Sequence, residues 1–256
     1  MLIMRNIVIV GGSSGIGLAL IQNLEGDNIV NISRTPCTVA GVNNLTADVT
    51  DTQSLKRAFS RISRIDALIY CAGTSMAAPV EYVRTDDYKH LFEVNIFGAI
   101  ECCKLAAPLL KKSEDGRIIM LSSTGGITPI AYDGFYSATK AGLIALCTEL
   151  RLELPQIKST AVIIGGTRTQ FSFKRDVYIN CDDYDEDLKR ATAALTKIEQ
   201  TGYDADFVAK KIVAILDKNN PPPQVTIGLK NKLLTGLYKL MPWQLKLSSL
   251  RSTYDI

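Results

Sequence analysis

A chain of 256 residues, 46% of them apolar and 21% charged, can fill one large α/β domain around a substantial core. No stretch approaches the roughly 20 apolar residues that cross a bilayer. Five basic residues and one acidic fall between Lys230 and Ile256, but no basic stripe with interleaved aromatics supports nucleic-acid binding.

The single histidine, His90, excludes a histidine-based triad or a multi-histidine metal site, and its place in a helical pattern suggests a surface or helix-end role. Six cysteines (Cys37, Cys71, Cys102, Cys103, Cys147 and Cys181) form no C-x-x-C pair and read as buried free thiols in a reducing, cytoplasmic setting. Arg5 is the only basic residue before the first glycine turn, and no small-residue cleavage site precedes Gly11, so no secretory signal is expected.

The first apolar run, Asn6–Val10, leads into Gly11-Gly12-Ser13-Ser14-Gly15-Ile16-Gly17 and then the helical pattern of Leu18, Leu20, Ile21 and Leu24. A glycine-rich turn from strand to helix can hold a phosphate. Gly11 allows the tight turn, Gly15 lets the backbone approach a pyrophosphate, Gly17 lets the helix pack on the strand, and the helix start offers free N–H groups. Further strands are expected at Asn28–Ile32, Asn44–Ala47, Ala67–Tyr70, Arg117–Leu121, Thr160–Ile164 and Val225–Ile227. Strands alternating with helical patterns imply a Rossmann-like doubly wound parallel sheet of about seven strands, with helices on both faces in three layers.

Between the second and third runs, residues 34 to 43 contain Pro36 and Gly41 and leave room only for a truncated connection. Long helices are predicted from about Asp86 to Leu110 and from about Phe135 to Leu152. The stretch Gln170–Gln200 shows no strand pattern and reads as part of a substrate lid over residues 170–202. Its acidic cluster, Asp182, Asp183, Asp185, Glu186 and Asp187, reads as a solvated helix start, and no metal site is expected. The tail, residues 229–256, contains an amphipathic helix through Leu233, Leu234, Leu237, Leu240 and Met241 that ends near Pro242.

Tyr136 and Lys140 stand four apart on the second long helix and therefore on one face, with the strand end Leu121-Ser122-Ser123 ahead of them. A phenol titrates near pH ~10, and a cation beside it favours phenolate, which brings a proton donor closer to neutrality. Ser123 can hydrogen-bond the same substrate oxygen.

On these residues the chain resembles the short-chain dehydrogenase/reductase family over nearly its whole length. The resemblance rests on the G-x-x-x-G-x-G loop at Gly11, Gly15 and Gly17, on Asp48 in Ala47-Asp48-Val49, and on Ala72-Gly73 ending the fourth strand. It extends to Asn95 in the long helix and to a serine thirteen residues before Tyr-x-x-x-Lys, which selects Ser123 over Ser122 and Tyr136 over Tyr132. The resemblance implies a single NAD(P)-binding domain, an alcohol/carbonyl oxidoreductase, and catalysis by Asn95, Ser123, Tyr136 and Lys140. Tyr136 would be the general acid/base, Ser123 would polarise the carbonyl, Lys140 would hold the nicotinamide ribose and lower the tyrosine pKa, and Asn95 would anchor a water reaching Lys140. It places the cofactor against Gly11, Ser13, Ser14, Gly15, Ile16, Gly17, Ser33, Arg34, Asp48, Val49, Ala72, Gly73, Tyr136, Lys140 and Thr169.

At the end of the second strand no carboxylate is present to bind ribose hydroxyls. Ser33 and Arg34 suit a 2′-phosphate, so NADP is expected rather than NAD. The chain departs from the family pattern at Val10, at Tyr70-Cys71 in place of paired asparagines, and at Ile164 in place of a proline. The tail resembles that of relatives acting on lipophilic ketones and hydroxysteroid-like alcohols. It is expected to cover the cleft or a subunit interface in a homodimer or homotetramer rather than to contact a membrane. The expected reaction is thus NADP-dependent interconversion of a secondary alcohol and a ketone; a 3-oxoacyl-type reductase and an NADP-sensing protein without turnover are the alternatives.

Overall fold

The computed structural model describes residues 4–171, 175–178 and 182–256. Alternating Ile and Val build the first strand, β1 (Asn6–Val10): Ile7 and Ile9 pack to one side of the sheet, Val8 and Val10 to the other. The glycine turn then opens α1 (Gly15–Asn23), followed by β2 (Asn28–Ser33) and β3 (Asn43–Thr46). No helix lies between β2 and β3, as the short connection requires.

Asp51 caps α2 (Thr52–Phe59) by accepting from the Gln53 amide at 2.9 Å. The fully buried β4 (Ala67–Tyr70) and the two-residue β5 (Met76–Ala77) lead to α3 (Thr85–Phe92), a π-helical turn at Glu93–Phe97, and α4 (Gly98–Leu110). β6 (Arg117–Ser123) ends on Ser123 and α5 (Gly134–Glu153) carries Tyr136 and Lys140; β7 (Lys158–Ile164) follows, then the short β8 (Thr167–Arg168) and β9 (Asp176–Val177). The remainder is α6 (Asp185–Gln200), β10 (Tyr203–Asp204), α7 (Ala205–Leu216), β11 (Gln224–Thr226), α8 (Leu229–Leu240) and α9 (Trp243–Tyr254).

Seven strands form one parallel sheet in the order β11-β7-β6-β4-β1-β2-β3. On one face α2, α4 and α5 bury Leu55, Cys102, Ala106, Leu143 and Cys147 against Val8, Leu68 and Ile118. On the other, α1 and α7 bury Leu20, Ile21, Val208 and Ile212 against Ile7, Ile69 and Val162. Strand order reverses between β1 and β4, so the glycine turn and Ala72-Gly73 flank the crevice where α/β sheets of this kind bind ligands.

The seven expected strands all form, with boundaries within two residues. Four expectations are corrected. Gln170–Gln200 does contain a strand, because β9 pairs with β5 through Met76↔Asp176 and Ala77↔Val177, a pairing too short to leave a sequence pattern. The helix from Asp86 to Leu110 is interrupted by the π turn. The tail holds two helices, since Pro242 ends one run and its extended backbone starts the next. Cys71 is only partly buried, whereas Cys37, Cys102, Cys103 and Cys147 are buried; all five are free thiols, and Cys181 lies outside the described residues. His90 sits exposed in the last turn of α3, and the acidic cluster precedes and opens α6. Among the described residues no group of side chains has the makeup of a metal site, and no helix is long and apolar enough to cross a membrane.

Candidate active site

A cavity of 1180 Å³ runs along the carboxyl ends of β1, β2, β4, β6 and β7 and is also lined by Gln170, Phe171, Arg175 and Asp176 and by residues of the tail. Every residue expected to touch the cofactor lines it. The turn is shaped by backbone geometry. Gly11 has φ +86°, and a Cβ there would stand 2.8 Å from the Ala72 amide nitrogen; a Cβ on Gly17 would stand 2.3 Å from the Gly11 carbonyl oxygen. Gly15, at φ +54°, meets only the Thr169 side chain at 3.7 Å, so its surface stays open to the cavity. Ser14 is the N-cap of α1 and its side chain makes no capping bond, so the first-turn N–H groups of α1 face the cavity. These features fit a dinucleotide pyrophosphate.

Asn31, which the sequence reading passed over, organises that turn. Its Oδ1 accepts the Gly12 amide at 3.0 Å, and its Nδ2 donates to Ser33 Oγ at 2.9 Å and to Asn44 Oδ1 at 2.8 Å. A fully buried asparagine within Ile29-Val30-Asn31-Ile32 was the available signal, since a buried amide must find partners. The Ser33 hydroxyl donates to the Thr35 carbonyl at 2.6 Å, and the exposed Arg34 guanidinium beside it lines this end of the cavity with no hydrogen-bond or ion-pair partner among the described residues. Asp48 accepts from the Thr50 amide and hydroxyl, both at 2.9 Å. Partial burial opposes ionisation there, but those bonds and the charge of Arg34 hold Asp48 below the usual carboxylate range.

β6 delivers the two serines to different places. Ser122 Oγ donates to the Lys140 carbonyl at 2.7 Å inside the core, whereas Ser123 Oγ accepts from the Gly125 amide at 3.0 Å and reaches the Tyr136 phenol. Tyr136 lies in the first turn of α5, with Lys140 one turn further on; Lys140 Nζ is 5.4 Å from the Tyr136 ring centroid and donates to the Leu121 carbonyl at 3.0 Å. Burial pushes Lys140 down to about 8.

Burial also moves the Tyr136 phenol upward; the Ser123 hydroxyl opposes this, Asp133 and Glu199 reinforce it, and Arg175 opposes it. Burial therefore works against the acidifying effect expected of Lys140, whose Nζ lies beside the ring.

Asn95 does not line the cavity. It is fully buried in the π turn, where Oδ1 accepts the Thr74 amide at 2.8 Å and Nδ2 donates to the Thr74 carbonyl at 2.9 Å and to Thr139 Oγ1 at 3.1 Å. It therefore ties the loop after β4 to α5, with its Oδ1 and Lys140 Nζ both 3.4 Å from a Cβ placed on Gly73. Tyr70, one of the two residues that replace the family's paired asparagines, supports the same turn by donating to the Val94 carbonyl.

A second group missed in the sequence is Ser75, Asp133, Arg175 and Glu199, all on the cavity wall. Ser75 Oγ donates to Asp133 Oδ2 at 2.7 Å, Arg175 Nε donates to Ser75 Oγ at 3.1 Å, and Arg175 pairs with Glu199 at 2.5 Å. Burial raises Asp133 to about 7 against the pull of Ser75, Arg175 and the Met76 amide.

The family model described as short chain dehydrogenase matches residues 5–177, from the first strand through the Tyr-x-x-x-Lys helix. The chain belongs to the short-chain dehydrogenase family. Members of this family are oxidoreductases acting on alcohol and carbonyl groups with a nicotinamide cofactor, and so is this protein. It is 31% identical to a 3-ketodihydrosphingosine reductase of Bacteroides thetaiotaomicron over 87% of each chain. It is also 31% identical, over 92% of each chain, to a probable short-chain type dehydrogenase/reductase, VdlC, of Helicobacter pylori. A solved short-chain dehydrogenase from Streptomyces avermitilis matches with a TM-score of 0.82 and 25% identity over 98% of each chain.

Proposed function

We propose that this short-chain dehydrogenase is an NADPH-dependent reductase of lipophilic ketones. The observation that carries the reading is the convergence of Ser123, Tyr136 and Lys140 on one cavity wall beside the glycine turn. A protonated phenol is the form that ketone reduction consumes. Ser123 and Tyr136 hydrogen-bond the carbonyl oxygen, and Tyr136 passes its proton to that oxygen as negative charge develops. When bound, the cofactor supplies the hydride. Lys140, buried next to Tyr136, holds the ribose hydroxyls and carries charge close to the phenolate left behind; Asn95 positions Lys140 and α5 without touching substrate.

Arg34 supports NADP over NAD, because a guanidinium pairs with a 2′-phosphate and β2 ends without a carboxylate to repel one. The apolar wall formed by Leu234, Leu237, Met241 and Leu250 supports a lipophilic substrate, and a relative named as a 3-ketodihydrosphingosine reductase supports a ketone as the reacting group. Phe171, Leu195 and Ile198, from residues 170–202, complete that wall as a lid, with the inner side of residues 229–256 as its cover. Homo-oligomerisation through the two long central helices is supported by Phe97 and Leu152, both more than half exposed there. A cytoplasmic location fits the unpaired thiols.

The test is NADPH oxidation over a panel of ketones, aldehydes and 3-oxoacyl thioesters, with product identification. Turnover of a lipophilic ketone to the secondary alcohol supports the reading. Preference for thioesters would reassign the substrate to the 3-oxoacyl class, and tight NADPH binding without turnover would make the protein a sensor.

A further inference from the structure

The two tail helices are two-faced in an unusual way. Their inner side, with Leu234, Leu237, Tyr238, Met241 and Leu250, lines the cavity. The large apolar residues of these helices that do not line the cavity and are at least half exposed are Leu229, Leu233 and Leu240, which share one face of α8, and Trp243, Leu245 and Leu247 in α9; Leu229 and Leu240 are exposed by more than 80%. Single exposed leucines are ordinary. Leu229, Leu233 and Leu240 on one face of α8, with Trp243 and Leu247 one turn apart on α9, make an exposed apolar surface of the kind that marks a contact site.

The charge around the patch decides what it contacts. Lys232, Lys239, Lys246 and Arg251 stand on the same two helices and do not line the cavity, and among the described residues no carboxylate forms an ion pair with any of them. A second copy of the chain docking here about a two-fold axis would set this unpaired positive charge against itself. An anionic lipid surface complements both features at once: acyl chains take the leucines and Trp243, and lipid phosphates meet the basic side chains. Each helix has 12 residues, about 18 Å at the helical rise per residue, so neither crosses the ~30 Å hydrocarbon layer and both must lie in the interface plane.

We infer that α8 and α9 dock this protein onto the surface of an anionic phospholipid bilayer, with the mouth of the substrate cavity against the membrane. The inner side of the same helices then lets a lipophilic ketone pass from the lipid into the cavity without crossing water, a consequence that rests on the proposed substrate class. Docking itself does not depend on it.

Sedimentation with phosphatidylcholine vesicles, with and without phosphatidylglycerol, at physiological ionic strength tests this. The protein is expected to pellet with the anionic vesicles and at least about tenfold less with neutral ones. A variant combining Leu233→Glu, Leu240→Glu and Trp243→Glu should lose vesicle binding by a similar factor while keeping its circular dichroism spectrum and its turnover of a water-soluble ketone. Absence of pelleting with anionic vesicles overturns the inference. So does a wild-type dimer, seen by analytical ultracentrifugation, that the triple variant converts to monomer without vesicle binding by either, since the face would then belong to a second copy. If no ketone is turned over at all, the proposed reaction fails while vesicle binding still decides the docking.

Discussion

Replacing Gly17 with alanine places a methyl group 2.3 Å from the Gly11 carbonyl oxygen and 3.0 Å from both Gly11 C and Gly12 Cα. All three are backbone atoms, so no side chain can turn aside. Comfortable contact needs about 3.5 Å, so the start of α1 must withdraw from the end of β1 by roughly 1 Å. Overpacking of this kind costs about 1–3 kcal/mol. The same shift moves the first-turn N–H groups away from the pyrophosphate.

The expected outcome is an NADPH dissociation constant raised at least about tenfold, equivalent to about 1.4 kcal/mol, together with a lower urea midpoint. NADPH fluorescence titration and urea unfolding read the two effects. Gly236→Ala is the matched control: Gly236 is exposed within α8 and a Cβ there meets nothing within 4 Å, so this change should leave binding alone and stabilise the helix by about 0.5–1 kcal/mol. Unchanged NADPH affinity and an unchanged midpoint in Gly17→Ala would refute the claim that close backbone approach builds the phosphate turn.

Two further predictions concern charge. Arg34→Ala should weaken NADPH binding by about tenfold or more, as loss of a charge-assisted contact does, while NADH binding stays within about twofold; equal weakening of both would remove Arg34 from phosphate recognition. Asp133 stays protonated in the fold up to about pH 7, whereas in the unfolded chain it ionises near 3.8. Its contribution to stability is therefore full at low pH and is lost as pH rises towards and through 7, by up to about 4 kcal/mol. Unfolding free energies at pH 5 and pH 8 should accordingly differ less in Asp133→Asn than in the wild type, and identical slopes would contradict the burial argument.

The sheet was legible because its strands are short apolar runs of the right length, while Ser123 and Tyr136 were singled out from Ser122 and Tyr132 by the spacing of the motif that the family resemblance supplied. Asn31, Asn95 and Tyr70 show what spacing cannot convey. Asn95 was named from the family motif, but that it works behind the cavity wall follows from Thr74 and Thr139, residues brought to it by the fold. Asn31 and Tyr70 act through a backbone amide and a backbone carbonyl, groups present at nearly every position and thus silent in a sequence. The Arg175–Ser75–Asp133 chain joins residues up to 100 positions apart. The burial that opposes ionisation of Tyr136 was silent for a related reason: helical spacing reveals the nearby lysine, whereas desolvation depends on the whole cavity.

The most direct measurement is NADPH oxidation by Tyr136→Phe on the best ketone found for the wild type, with NADPH binding measured alongside. The phenol donates the proton, so turnover should fall at least about a hundredfold while NADPH affinity stays within about twofold. Retention of more than about a tenth of the wild-type rate would contradict Tyr136 as the proton donor, and with it the reading of this cavity as a ketone-reducing site.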